Sequence, residues 1–225
     1  MKTLQYAALI LGCALTSQLQ AAAITNGDFS SCDYTGWQQE SDFAAPVSGS
    51  NDFSIAGSSP NCSAVMNVDY GGIDDAFFYT ALFQELDLSS AADSTFLLTL
   101  DFNVSSDLTS QDGAFVADYF AAGISDGFGN FLPGLLASED IDGIFNYNLS
   151  FSLDNSFANQ TGLFVEFQLI LGADIGGLTD LSGSSLNISN VSLVEVAAPQ
   201  VPEPGSMAIM AVGLAGLATY RRKKH

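Results

Sequence analysis

Apolar and polar residues alternate in short bursts along most of the chain, and each burst ends at a cluster of Gly, Asn, Asp or Ser. The clearest run is 143–153, where Phe145, Tyr147, Leu149, Phe151 and Leu153 take every second position. A period of two puts them on one face of a strand. Runs at 24–29, 54–56, 64–68, 76–88, 96–104, 113–124, 163–171 and 186–196 also read as strands. In 96–104, two apolar stretches predict burial on both faces at the start and alternation after. Nothing between 24 and 198 carries the 3.6-residue period of a long amphipathic helix, and no internal repeat of fixed period is visible. The pattern predicts an all-β body over 24–198, an antiparallel β-sandwich.

The two ends break this pattern. Residues 1–23 begin with Lys2, continue through an apolar centre at 7–15 and a polar step at 16–20, and reach Ala21, Ala22 and Ala23. That is the layout of a secretory signal peptide, so a signal helix is expected here, with the exported chain beginning at Ile24. At the other end, 199–204 is a proline-rich linker, 205–220 an uncharged and mostly apolar run, and 221–225 a basic tail. As a helix, 205–220 would reach about 24 Å, short of a hydrocarbon core of about 30 Å. It is read as a short transmembrane helix, with Tyr220 and Arg221 snorkelling to the interface. Arg221, Arg222, Lys223 and Lys224 hold that end in the cytoplasm and place the body on the far side. Small residues such as Gly205, Ala208, Gly213 and Gly216 permit close approach by another membrane helix. Composition alone leaves a plain anchor and a processed signal equally open.

Val201, Pro202, Glu203 and Pro204, followed by the short span and the basic tail, closely resemble the PEP-CTERM sorting signal of bacterial surface proteins. The resemblance implies processing by an exosortase-type membrane protease, a transient stay in the inner membrane, and delivery to the cell surface or the medium. It also implies a setting rich in extracellular polysaccharide. A second resemblance lies at both ends of the body. Asn26-Gly27-Asp28-Phe29, then Gly36-Trp37, and near the other end Ile188-Ser189-Asn190-Val191-Ser192-Leu193, are similar to the first and last strands of galactose-binding-like jelly-roll domains. That likeness implies a jelly-roll-like sandwich whose first and last strands lie side by side. Ser189-Asn190 stands where such domains carry an acidic position.

Charge narrows the function classes. The five Lys and Arg residues are Lys2, Arg221, Arg222, Lys223 and Lys224, and the single histidine is His225. Residues 24–220 therefore contain no Lys, Arg or His, while all 25 Asp and Glu residues lie within them. Phosphate contacts need cations, so nucleic-acid binding is excluded. Ser-His-Asp, Cys-His and lysine nucleophiles are excluded with it. A carboxylate pair for glycoside cleavage is the one catalytic chemistry left, and the expectation is a non-enzymatic protein. Cys32 and Cys62 are the two cysteines that remain after signal removal, and in an exported chain they are expected to form one disulfide.

Two acid clusters offer oxygen ligands at tight turns: Asp69, Asp74 and Asp75 around Gly71-Gly72, and Glu139, Asp140 and Asp142 before Gly143. They are the candidate calcium ligands. Trp37, the single tryptophan, is a candidate sugar-stacking residue, with core packing as the competing reading. Tyr34, Tyr70 and Tyr119 are equal candidates for such a platform. The expectation is an exported surface or matrix protein associated with exopolysaccharide or biofilm. The alternative is a carbohydrate-binding module specific for one glycan.

Overall fold

The computed structural model describes residues 24–48, 50–68, 79–90, 94–106, 118–141, 143–171 and 183–196. Ten strands make up the body: β1 Gln38–Ser41, β2 Phe53–Ser58, β3 Asn61–Val68, β4 Tyr79–Glu85, β5 Thr95–Ser106, β6 Tyr119–Ser125, β7 Phe131–Asp140, β8 Ile144–Leu153, β9 Phe164–Ile170 and β10 Ser184–Val196. They form two five-stranded sheets, ordered β1-β4-β9-β6-β7 and β2-β3-β10-β5-β8. Every pairing is antiparallel. The chain crosses repeatedly from one sheet to the other, the jelly-roll-like form of a β-sandwich. Among the described residues, no helix is long and apolar enough to cross a membrane. Residues 1–23 and 197–225, which hold the expected signal helix, linker, span and tail, lie outside the described residues.

The core fills the space between the sheets. Strand β5 alternates without exception: Phe96, Leu98, Leu100, Phe102 and Val104 are buried, and the residues between them are half-buried. The expected two-faced burial at its start is corrected: Leu97 sits on the outer face. Strand β8 alternates as its sequence predicts, from Tyr147 through Leu149 and Phe151 to the fully buried Leu153. Phe102 meets Phe120, Tyr147 and Phe167 with centroids 5.1 to 5.7 Å apart, joining the two sheets.

The expected strand at 24–29 is a turn. Asn26 and Phe29 adopt left-handed backbones, with φ of 50° and 52°, and an Asn tolerates this conformation. The segment's backbone is satisfied from both sheets. Thr25 N donates to Gln84 Oε1 at 2.6 Å, Gln84 Nε2 donates to Thr25 O at 2.9 Å, and Val191 N donates to Gly27 O at 2.8 Å. The start of the body thus lies against β10, but by a single backbone bond instead of a ladder. A bulge in β10 between Ile188 and Asn190 interrupts its register with β5 just before Val191.

Two strands were not expected. Strand β1 is polar, Gln-Gln-Glu-Ser, and carries no apolar period. Strand β7 contains Pro133-Gly134, which reads as a turn. Both are outermost in their sheet, and an outermost strand accommodates a proline because one row of its N–H groups has no partner strand.

Candidate functional site

The outer face of the β1-β4-β9-β6-β7 sheet bears a cleft of about 470 Å³. Strand register explains it. Directly paired residues share a face, so two rows run across the sheet: Glu40, Ala81, Gln168, Ala121 and Ser138, and beside it Gln38, Phe83, Glu166, Gly123 and Leu136. Ala81, Ala121 and Gly123 are too short to fill the surface, so the middle of the face forms a trough. Larger side chains stand beside it: Tyr79, Ile170 and Tyr119 form a third row.

Two loops build the rim. Residues 41–44 form a two-residue hairpin turn, closed by Ser41 N to Ala44 O at 2.8 Å and Ala44 N to Ser41 O at 2.9 Å. Its central residues, Asp42 and Phe43, both have positive φ, 49° and 65°, the geometry of a type I′ turn that ordinarily selects Asn-Gly. Phe43 is 79 % exposed and stacks on Tyr79 with centroids 4.9 Å apart. Asp42 fastens the turn to β4, since its N donates to Tyr79 O at 2.9 Å and its Oδ1 accepts from Tyr79 N at 3.0 Å. The β6–β7 loop carries the other rim aromatic. The Asp126 carboxylate accepts from Phe128 N at 2.9 Å and from Asn130 Nδ2 at 2.9 Å, and between Gly127 and Gly129 it projects Phe128, 87 % exposed.

Glu166 lies at the bottom of this cleft. It is 2 % exposed. Gln168 Nε2 donates to its Oε1 at 2.6 Å, and its Oε2 has no hydrogen-bond partner. A buried carboxylate oxygen left unpaired is costly. Glu40 faces the same space. Burial and the nearby Glu166 charge push its carboxyl up, opposed by a hydrogen bond from Tyr79. Burial and the same two carboxylates push the Tyr79 hydroxyl well above its ordinary range. The cleft therefore joins aromatic surface to an acceptor that lacks a donor, Glu166 Oε2.

Most residues singled out from sequence fall elsewhere. Trp37 is corrected from sugar platform to core: it is 7 % exposed, lies on Phe29 with centroids 5.3 Å apart, and donates Nε1–H to Asn26 O at 3.2 Å. Tyr34 is structural too, its hydroxyl turned to the backbone carbonyls of Ser54 and Val65. Tyr119 lines the cleft, and Tyr70 lies outside the described residues. Cys32 and Cys62 are joined by a disulfide with Cα atoms 5.3 Å apart, tying the loop before β1 to β3.

The calcium reading of Glu139 and Asp140 is corrected. They are neighbours on β7, not turn residues, so their side chains leave opposite faces. Glu139 instead accepts from the Tyr147 hydroxyl at 2.8 Å, and burial together with that hydrogen bond pushes the Tyr147 hydroxyl up to about 12. Asp142, Asp69, Asp74 and Asp75 lie outside the described residues. Among the described residues, no group of three or more His, Cys, Asp or Glu could hold a metal.

The sequence reading missed Glu40, Phe43, Tyr79, Phe128, Glu166 and Gln168. One signal was available. In Phe164-Val165-Glu166-Phe167-Gln168-Leu169, two polar residues two apart interrupt an apolar strand on one face, which marks a polar strip on a buried surface.

The PEP-CTERM protein-sorting motif matches residues 200–223. The chain carries a PEP-CTERM sorting signal. The signal takes in Pro202-Glu203-Pro204 and the basic residues Arg221, Arg222 and Lys223, with Lys224 just beyond. A PEP-CTERM signal marks an exported protein that passes through the membrane, is processed by an exosortase and reaches the cell surface. No curated protein matches the chain. Among solved structures, it is similar to the enzymatically active domain of tailspike protein 4 of bacteriophage CBA120, at 12 % identity and a TM-score of 0.39, covering 78 % of this chain and 21 % of that one. The chain thus spans about a fifth of that domain's length. It is also similar to the K3 cleaved adhesin domain of Lys-gingipain from Porphyromonas gingivalis, at 15 % identity and a TM-score of 0.39, covering 79 % and 100 %. A third similar structure is the family 11 carbohydrate-binding module from Clostridium thermocellum in complex with a mixed-linked tetrasaccharide, at 14 % identity and a TM-score of 0.34, covering 77 % and 95 %.

Proposed function

We propose that this protein is a non-catalytic glycan-binding protein, delivered to the cell surface by its PEP-CTERM signal and acting in the extracellular polysaccharide matrix. The cleft is its binding site. One observation carries the reading: Glu166 is buried at the bottom of an open, aromatic-walled cleft with Oε2 unpartnered. Sugar hydroxyls are donors that would satisfy it. The flat apolar faces of a pyranose match Tyr79, Phe43 and Phe128. Binding sites of this kind combine apolar walls with a few placed polar groups. Calcium held by Asp69, Asp74 and Asp75 is a secondary proposal for the same protein.

The test is binding of the full chain to an array of soluble oligosaccharides, with Phe43→Ala and Phe128→Ala beside the parent. Binding that both substitutions weaken, while the melting temperature holds, is the expected result. Absence of binding to every glycan, or binding indifferent to both rim residues, would remove the cleft as the site. Release of reducing ends from any bound polysaccharide would replace the non-catalytic reading with hydrolysis by a carboxylate pair.

A further inference from the structure

We infer that the cleft is built for a sugar bearing a free amine, whose ammonium group takes Glu166 Oε2 and Glu40 while its ring lies on the aromatic wall. This inference rests on the glycan-binding reading and names the ligand class for the same site. The argument is one of charge. Glu40 and Glu166 both face one cleft, and each raises the cost of ionising its neighbourhood, as Glu40 and Tyr79 register. A buried carboxylate is ordinarily matched by Lys, Arg or His. Here residues 24–220 contain none of these, so no side chain of the body supplies the compensating charge, and a cationic ligand would.

The alternatives meet the cleft less well. A neutral sugar gives Glu166 Oε2 a donor but leaves two like charges uncompensated. A uronic acid or sulfated sugar adds a third negative charge. A bare divalent cation has two carboxylates and one amide oxygen to bind, fewer than the six to eight oxygens calcium takes, and it leaves the aromatic wall unused. An ammonium group satisfies both features. It donates charge-assisted hydrogen bonds to carboxylates, and it is attracted to aromatic faces of the kind Tyr79, Phe43 and Phe128 present.

The experiment is titration calorimetry of the full chain with glucosamine oligosaccharides, their fully N-acetylated counterparts and oligouronates of equal length. Glucosamine oligomers are expected to bind about tenfold more tightly than the acetylated series, with no binding of oligouronates. Glu166→Gln, nearly isosteric, is expected to collapse that preference to about twofold or less, by weakening the glucosamine series more than the acetylated one. Glu40→Gln, on a half-exposed residue, is expected to reduce it in the same direction and provides a second variant if the first does not fold. Equal or tighter binding of the acetylated oligomers would overturn the amine assignment and leave the glycan-binding reading standing. Failure of all three series would overturn the amine assignment, and only failure across the whole oligosaccharide array as well would overturn the glycan-binding reading. A glucosamine preference unchanged in both variants, or lost on adding a chelator, would also overturn the assignment.

Discussion

Phe43 lies on Tyr79 with ring planes inclined at 22°, and it does so from a left-handed backbone. For a bulky residue that conformation costs about 1–2 kcal/mol, while an aromatic stack returns about 0.5–1.5 kcal/mol. The two nearly cancel, so the phenyl ring gains the fold little. Its position at the mouth of the cleft is where it has a use, since strained residues concentrate at functional sites.

Phe43→Gly should therefore separate stability from binding. Glycine relieves the left-handed strain as the stack is lost, and the net change in unfolding free energy is expected to stay within about 1 kcal/mol. Affinity for a cleft ligand should fall about fivefold or more, as for a central aromatic contact. Chemical denaturation and calorimetry on the same preparation check both. A drop in stability well beyond that range, with affinity intact, would make Phe43 a structural residue.

Gly27 tests the joint between the start of the body and its last strand. A Cβ there would sit 2.1 Å from Val191 O, a backbone atom that cannot turn aside. Gly27→Ala must push the segment off β10, straining the Val191 N to Gly27 O bond and the Phe29–Trp37 pair beside it. A loss of about 2 kcal/mol or more is expected. A denaturation midpoint unchanged from the parent would show that the joint contributes nothing to stability.

What the sequence disclosed follows from which faces are buried. Strands β5, β8 and β10 each hold one apolar face against the core, and their period of two is plain in the chain. In β4, β6 and β9 both faces are covered along most of their length, so alternation weakens and the outer row becomes indistinguishable from the core row. Tyr79 and Phe83 were therefore visible as strand aromatics but not as cleft wall. Strand β1 has no apolar period because it lies at the sheet edge, and the 41–44 turn uses Asp-Phe where Asn-Gly would have announced it. Glu166 could not be told from 24 other acids until the fold placed it under cover. The sorting signal was legible because its recognition depends on linear order, not on folding.

That signal makes a prediction of its own. Replacing Pro202, Glu203 and Pro204 with alanine removes the stiff, extended segment ahead of the span but leaves 205–220 and the basic tail intact. Processing is expected to stop, so the chain accumulates in the inner membrane with its tail attached. Intact mass spectrometry of membrane, surface and medium fractions reads this directly. Surface protein trimmed at the same point in parent and variant would show that the tripeptide does not direct cleavage.

Acid should stabilise this protein over part of its range. Glu40 is pushed above its ordinary value of 4.5 by burial and by Glu166. The folded state then holds that proton more tightly than the unfolded state, and stability rises as pH falls through the raised value towards 4.5. The opposing groups are Asp28, Asp33, Asp87, Asp126 and Asp154, whose carboxyls are held below 3.8 by hydrogen bonds from Ser30, Ser31, Ser89, Asn130 and Ser156, respectively. Their contribution is present above 3.8 and is lost as pH falls through the depressed values. Repulsion among acids with no Lys, Arg or His between residues 24 and 220 acts in the same direction as Glu40. The melting temperature is therefore expected to peak near pH 4–5, and to rise with sodium chloride at pH 7 more than at pH 5, because screening matters most where the charge is greatest. Glu40→Gln should flatten the acid-side rise. A melting temperature highest at neutral pH and indifferent to salt would mean that neither the cleft carboxylates nor the body's charge weighs on the fold.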